Sequence, residues 1–179
     1  MGLGEHCTYA RALGPDWHGL AWAVRNAHAD RPWRILIGRA TVRRGRTWLA
    51  RIAGWLFGFP PDVADVPCSV EFATAPRGER WWRRFGGHPM TSTLSVEHGR
   101  LYEAFGALKV ELKAARRGGT LVLTAGRARF GPVALPRALS PEVIASEKER
   151  DGRFLFRVSI RVPIAGLIAA YRGTLRPVT

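Results

Sequence analysis

The densest group of side chains that could bind a ligand lies between Arg80 and Phe85, a segment that reads RWWRRF. Alternate side chains of a β-strand face opposite sides, so each face carries aromatic rings and guanidinium groups, with Trp82 and Arg84 together on one of them. Such a face could stack on bases or hold an anionic headgroup. The alternative is tryptophans packed beneath arginine stems whose charges reach water.

Two further segments place an arginine beside an aromatic residue and a glycine at the expected end of a strand. They are residues 84–87, RFGG, and residues 171–173, YRG. Glycine leaves room for a ligand or another backbone, and a guanidinium can donate paired hydrogen bonds to a carboxylate or phosphate. Alternatively, the arginine pairs with an acid of the protein, for which Glu103 is suitable. The candidate ligand-binding residues are therefore Trp82, Arg84, Glu103, Tyr171 and Arg172.

The turn at Asp151-Gly152 determines where two glutamates of the last predicted hairpin lie. A two-residue turn pairs Glu149 with Phe154 and Glu147 with Phe156, which places both carboxylates on the apolar face. A three-residue turn places them on the other face, beside arginines. Burying an unpaired carboxylate costs several kcal/mol, so we predict the three-residue turn. The two-residue turn would make Glu147 a candidate site residue.

Motifs for catalysis, metal binding or a nucleotide cofactor are absent from the sequence. No serine lies in a GxSxG context, there is no GxGxxG, and the five histidines, His28 among them, show no pair at metal-ligand spacing. Cys7 and Cys68 lie far apart and outside any CxxC pattern, so we expect no disulfide. The sequence predicts no catalytic residue, no metal and no cofactor.

Alternation of apolar and polar residues at a period of two predicts antiparallel strands over most of the chain, most clearly in residues 153–162, RFLFRVSIRV. In that segment we expect Phe154, Phe156, Val158 and Ile160 to be buried and the arginines to be exposed. The predicted strands are 33–43, 68–74, 79–85, 91–96, 101–105, 108–114, 121–130, 143–149 and 153–161.

Two helices are predicted. Asp16 caps an amphipathic helix that runs to Ala27, and Thr47 caps an unusually apolar helix that runs to Phe57 and packs against the sheet. The fold class is α+β, with a large curved antiparallel sheet or partial β-barrel of about eight or nine strands packed by two short helices.

The chain is expected to form a single domain over residues 1–179, with an N-terminal helical extension at 1–32 and the sheet domain at 33–179. The two most apolar runs, 48–59 and 162–171, are about half as long as a membrane crossing requires, so we do not expect a transmembrane protein. No address signal is apparent at the N-terminus, so we expect a cytoplasmic location.

The net charge is +14, from 28 Lys and Arg against 14 Asp and Glu. A charge this large attracts nucleic acids and anionic membrane surfaces whatever the fold. The arginines, however, are scattered over strands and loops, as in a chain encoded by GC-rich DNA. We therefore expect no specific nucleic-acid partner.

A series of short motifs resembles the bacterial family DUF4166 over roughly residues 36–178. The family is defined by sequence, its activity is unassigned, and its members often follow a saccharopine-dehydrogenase-like or other Rossmann domain. The resemblance therefore implies a separate Rossmann-type oxidoreductase as a possible partner and supplies no catalytic residue. The motifs that carry it are RG at 44–45, ARIAG at 50–54, GFPP at 58–61, DVP at 65–67, GERW at 78–81, RFGG at 84–87, EAFG at 103–106, LPRAL at 135–139, DGRF at 151–154 and YRG at 171–173.

The functional expectation is a non-enzymatic module that binds a hydrophobic, anionic, lipid-like molecule in a sheet-lined cavity. The alternative is an accessory domain that docks onto a Rossmann-type oxidoreductase, which an exposed apolar patch without a cavity would favour. An enzyme would be indicated by Glu147 or Glu103 buried inside a cleft with a raised pKa.

Overall fold

In the part of the chain that the structure describes, ten strands form a closed antiparallel β-barrel and one short strand is added to it. The computed structural model describes residues 7–76 and 78–178. Neighbours around the barrel are β6-β5-β4-β3-β2-β1-β11-β10-β9-β7, and pairing of β6 with β7 closes it. The strands are β1 (Trp33–Arg44), β2 (Val63–Ala75), β3 (Gly78–Phe85), β4 (His88–Glu97), β5 (Arg100–Phe105), β6 (Leu108–Arg117), β7 (Thr120–Phe130), β8 (Val133–Ala134), β9 (Glu142–Arg150), β10 (Arg153–Val162) and β11 (Gly166–Pro177).

Among the ten barrel strands, β11 is the one that the alternation pattern does not predict. It pairs with β1 on one side and β10 on the other. Its sequence contains Ala169, Ala170 and Gly173, which dilute the alternation of large apolar and polar residues. The predicted partial barrel of eight or nine strands is therefore too small, because β1 and β10 share this partner instead of leaving open edges.

The hairpin formed by β9 and β10 has the predicted buried face. Phe154 and Ile160 are buried, Phe156 and Val158 are partly buried, and the three arginines of β10 are exposed. Gly173 of β11 lies opposite Phe156 of β10. A Cβ atom at Gly173 would come within 2.8 Å of the Phe156 ring. The glycine thus makes room for an aromatic ring of the barrel itself.

The N-terminal segment fills one end of the barrel, which we call the plugged end. It comprises α1 (Thr8–Leu13), a 3₁₀ helix (Gly14–Gly19) and α2 (Trp22–Ala27). The predicted single helix from Asp16 to Ala27 is wrong, because Leu20 and Ala21 adopt extended backbone angles that separate two short helices.

The third helix, α3 (Trp48–Leu56), lies at the opposite end of the barrel, which we call the α3 end. It begins as predicted, with the Thr47 Oγ1 accepting a hydrogen bond of 3.2 Å from the Ala50 N–H. Its inward side buries Ala50 and Gly54 against the barrel. Among the described helices, none combines the length and apolar character that a membrane crossing requires.

Candidate functional site

The β9–β10 turn has two residues, so the predicted three-residue turn is wrong. Asp151 and Gly152 have φ angles of 52° and 71°, the left-handed pair that a type I′ turn requires. Glu149 is therefore opposite Phe154, and Glu147 is opposite Phe156. Both glutamates lie on the face that points into the barrel, which makes Glu147 a candidate site residue.

The N-terminal segment supplies partners for these inward-facing carboxylates, of which Glu147 is buried and Glu149 partly buried. His28 Nε2 lies 2.6 Å from Glu147 Oε2, and both side chains are almost fully shielded from water. The Ala23 N–H donates a hydrogen bond of 2.8 Å to the Glu149 carboxylate. The cost of desolvating the carboxylates is offset by contacts from residues more than a hundred positions away in the chain.

A second polar cluster lies on the inner face of three neighbouring strands, β3, β4 and β5. Arg83 donates a hydrogen bond of 3.0 Å to Glu103 and another of 2.8 Å to the Ser92 hydroxyl, which in turn donates to Glu103 at 2.7 Å. The guanidinium also lies 4.5 Å from the centre of the Trp81 ring. Desolvation lowers the pKa of Arg83, but Glu103, Tyr171 and Tyr9 together raise it by more, so the arginine stays charged.

A small cavity of about 50 Å³ separates the two clusters, with His28, Arg83, Glu147 and Tyr171 in its wall. This space has room for a few water molecules and not for an organic ligand. His28 Nδ1 is buried without a hydrogen-bond partner among the described residues, which suits a water in this cavity. Burial raises the pKa of Tyr171, although Arg83 opposes the change, so the phenol stays neutral.

A different kind of space lies at the α3 end of the barrel. It is a cavity of about 230 Å³ between α3 and the strand ends, and its fifteen lining residues are all apolar. Leu56, Phe130 and Leu139 line it and are also exposed, so they mark its mouth. The lining residues are Ala53, Leu56, Phe57, Phe59, Phe105, Leu108, Val110, Phe130, Leu135, Leu139, Pro141, Val143, Ile160, Val162 and Ile168.

This apolar cavity continues into a surface groove of about 380 Å³. The groove and the cavity share Leu56, Phe57, Phe105 and Phe130. A ligand longer than the cavity can therefore extend along the outside of the barrel over a mainly apolar surface.

The five residues predicted to bind a ligand do not form one site. Glu103 and Tyr171 point into the barrel and are partly or fully buried. Trp82 lies on the outer face, where it stacks on another tryptophan, and Arg84 is exposed next to the β3–β4 turn. The acid Glu103 pairs with the residue before Arg84, because side chains one position apart point to opposite faces.

The fifth predicted residue, Arg172, is exposed in a groove of about 550 Å³ on the outer face of β1, β9, β10 and β11. Arg157 lies directly opposite it across the strands, so two like charges are neighbours. Arg39 in the same groove pairs with Asp65 at 2.7 Å. The face is positively charged and attracts anions in general. The cations of this basic groove are Arg39, Lys148, Arg150, Arg157 and Arg172.

Sequence reasoning missed His28 and Arg83 for different reasons. His28 follows a short helix, and no local motif marks it. Arg83 lies in the segment from Arg80 to Phe85, but the alternation in this segment does not indicate which of its two faces is buried. The usable signal was the Asp151-Gly152 pair, which is typical of a two-residue turn and places Glu147 inside.

The chain matches the model of the family described as a domain of unknown function, DUF4166, over residues 20–175. The chain belongs to the DUF4166 family. This DUF4166 protein matches none of the curated proteins. Among solved structures it is similar to the crystal structure of Rv2717c from M. tuberculosis, with 14% identity, a TM-score of 0.46, and coverage of 89% of this chain and 99% of that one.

Proposed function

We propose that this DUF4166 protein binds a small apolar molecule in the cavity at the α3 end of the barrel. The observation that carries the proposal is the lining of that cavity, a space of about 230 Å³ bounded entirely by apolar side chains. Apolar concave sites that bury most of a ligand are the usual form of small-molecule pockets.

The energetics of such a site follow from its lining. Each methylene group that leaves water for this cavity contributes about 0.8 kcal/mol, so a ligand that buries eight of them gains roughly 6 kcal/mol before the cost of association. That gain corresponds to weak or moderate affinity and to selection by size and shape. The lining holds no counter-ion, so a charged group on the ligand would lie at the mouth, in water.

The cavity elsewhere in the barrel interior is too small to bind an organic ligand. The cavity between the polar clusters is only about 50 Å³, and Glu147 in its wall already has a partner. The expected sheet-lined cavity is therefore proposed at the α3 end, away from Glu103 and Tyr171.

The test is a titration with N-phenyl-1-naphthylamine, an uncharged probe whose fluorescence rises in apolar surroundings. We expect saturable binding that is strongly weakened in Ile160→Trp and in Val143→Phe, each of which adds an aromatic ring inside the cavity. Ile144→Trp adds the same ring on the outer face of β9, where Ile144 is 65% exposed, and should leave binding unchanged. Equal binding by all four proteins would contradict the proposal.

Docking onto a separate Rossmann-type oxidoreductase stays a prediction. An exposed apolar surface does surround α3, as this alternative requires. The docking alternative, however, would be favoured by an exposed apolar patch without a cavity, and this patch lies beside a cavity. The cavity itself favours the ligand-binding proposal.

A further inference from the structure

The outward side of α3 is apolar and uncovered. Trp48 and Trp55 are 69% and 80% exposed, and Ile52 and Leu56 are more than half exposed. These positions recur every three or four residues, so they lie on one face of the helix. Large apolar side chains rarely gather in water unless they contact a partner or a membrane.

Neighbouring loops extend this surface beyond the helix. The Thr47 hydroxyl donates a hydrogen bond of 2.8 Å to the Ala165 carbonyl, and the Ile164 N–H donates one of 3.4 Å to the Ala138 carbonyl. The two bonds link α3, the β10–β11 turn and the loop before β9 into one edge. We call this edge the apolar rim and define it by Trp48, Ile52, Trp55, Leu56, Leu139 and Ile164, all of them exposed.

The charges beside the apolar rim include three arginines. Arg46 and Arg51 are exposed on and next to α3, and Arg137 is exposed two residues before Leu139. None of these three arginines forms an ion pair within residues 7–76 and 78–178. A surface with exposed tryptophans and free arginines matches the interface of a bilayer that contains anionic lipids.

We propose that the apolar rim docks onto an anionic phospholipid membrane, with the two tryptophans of α3 in the interfacial layer and the three arginines on lipid phosphates. This inference goes beyond ligand binding and does not depend on it. Two copies of the chain joined rim to rim would bring the same arginines together, which is unfavourable, whereas anionic headgroups neutralise them. Charge therefore selects the membrane over a second copy as the occupant.

The docked orientation has a consequence that does rest on the proposed function. Leu56 and Leu139 belong both to the apolar rim and to the mouth of the cavity. A docked protein thus opens its cavity toward the acyl chains. An apolar ligand could then pass between membrane and barrel without crossing water.

The test is co-sedimentation with vesicles of phosphatidylcholine, with and without about one third phosphatidylglycerol. We expect binding to the anionic vesicles, and a loss of affinity of at least about tenfold in the double variant Trp48→Ser/Trp55→Ser. The matched control is Trp22→Ser, because Trp22 is 60% exposed at the plugged end of the barrel. The control should bind like the wild type. All three substitutions lie at the surface, and circular dichroism verifies that the variants fold.

A second pair of variants separates docking through the apolar rim from general attraction by the net charge. Arg46→Gln/Arg51→Gln/Arg137→Gln should weaken binding to anionic vesicles more than Arg39→Gln/Arg157→Gln/Arg172→Gln, which removes the same number of charges from the basic groove. Equal losses in the two triple variants would overturn the proposal. So would unchanged binding by the double tryptophan variant.

The remaining outcomes are equally decisive. A dimer in sedimentation velocity that dissociates in Trp48→Ser/Trp55→Ser would show that the apolar rim is a protein interface, and would overturn membrane docking. Ile160→Trp, which obstructs the cavity, should bind vesicles normally. The experiments can therefore contradict the membrane-docking proposal and the ligand-binding proposal independently.

Discussion

The two ends of the barrel are closed by helices in opposite ways. At the plugged end, buried polar groups pair one by one, as in the ion pair of 2.9 Å between Arg34 and Glu79 and the 2.6 Å contact between His28 and Glu147. At the α3 end, apolar side chains surround a cavity of about 230 Å³.

The difference follows from the kind of group that each end buries. A polar group in the interior requires a partner at a defined distance, so the space left beside the pairs of the plugged end is small, about 50 Å³. Apolar side chains leave no unsatisfied donor or acceptor when a space stays open. The α3 end, which packs without directional bonds, is therefore the end that can bind a ligand.

The largest expected effect comes from breaking a polar cluster. Arg83→Ala should lower the free energy of unfolding by about 3 to 5 kcal/mol, because it leaves the Glu103 carboxylate without its ion-pair partner in the interior. Arg84→Ala is the matched control, since its exposed side chain lies one position away, and should change stability by less than about 0.5 kcal/mol. Urea denaturation measures both. Similar losses in the two variants would show that the interior pair carries no special stability.

Alkaline pH should destabilise the protein because its buried thiols resist ionisation. Burial raises the pKa of Cys7 to about 11 and that of Cys68 to about 12, from 9.0. The unfolded chain therefore loses these protons first. This part of the stability is complete below pH 9 and declines as the pH rises through 11 to 12.

At pH 10, ionisation of each thiol in the unfolded chain should lower the free energy of unfolding by about 1 to 1.5 kcal/mol relative to neutral pH. Denaturation midpoints between pH 8 and 10.5 measure the decline, and Cys7→Ala/Cys68→Ala should flatten it relative to the wild type, by about the sum of the two thiols. An identical slope in the double variant would mean that the thiols are not shielded from water.

One substitution made at both ends compares their packing directly. Val24→Phe enlarges a fully buried residue of α2 at the plugged end and should cost about 1 to 3 kcal/mol by overpacking. Val143→Phe enters the cavity at the α3 end and should leave stability unchanged or raise it by up to about 1 kcal/mol. Thermal unfolding of the two variants measures the difference in stability. Equal destabilisation would indicate that the α3 end is packed as closely as the plugged end.

Local patterns were sufficient to predict much of the fold. The buried face of the β9–β10 hairpin and the start of α3 at Thr47 are both confirmed. The turn within that hairpin was mispredicted although Asp151-Gly152 favours the observed geometry. The prediction weighed the cost of buried carboxylates and could not include His28, which lies 119 positions from Glu147.

The candidate site could be predicted only in part, because its decisive features are long-range. The sequence of α3 is apolar on both sides, so it does not reveal which side is covered by the barrel. The strand β11 was missed because small residues weaken its alternation, and without it the barrel is not closed. A cavity arises from the arrangement of fifteen residues on many elements, and no single segment records it.

The most direct measurement is methyl NMR of the protein titrated with N-phenyl-1-naphthylamine. We predict saturable shifts in the methyl groups of Val143, Ile160 and Ile168, which line the cavity, and none in Val24 or Leu36, which are buried elsewhere in the barrel. Shifts centred on Val24 and Leu36, or no saturable shift in any of the five, would contradict a ligand site at the α3 end.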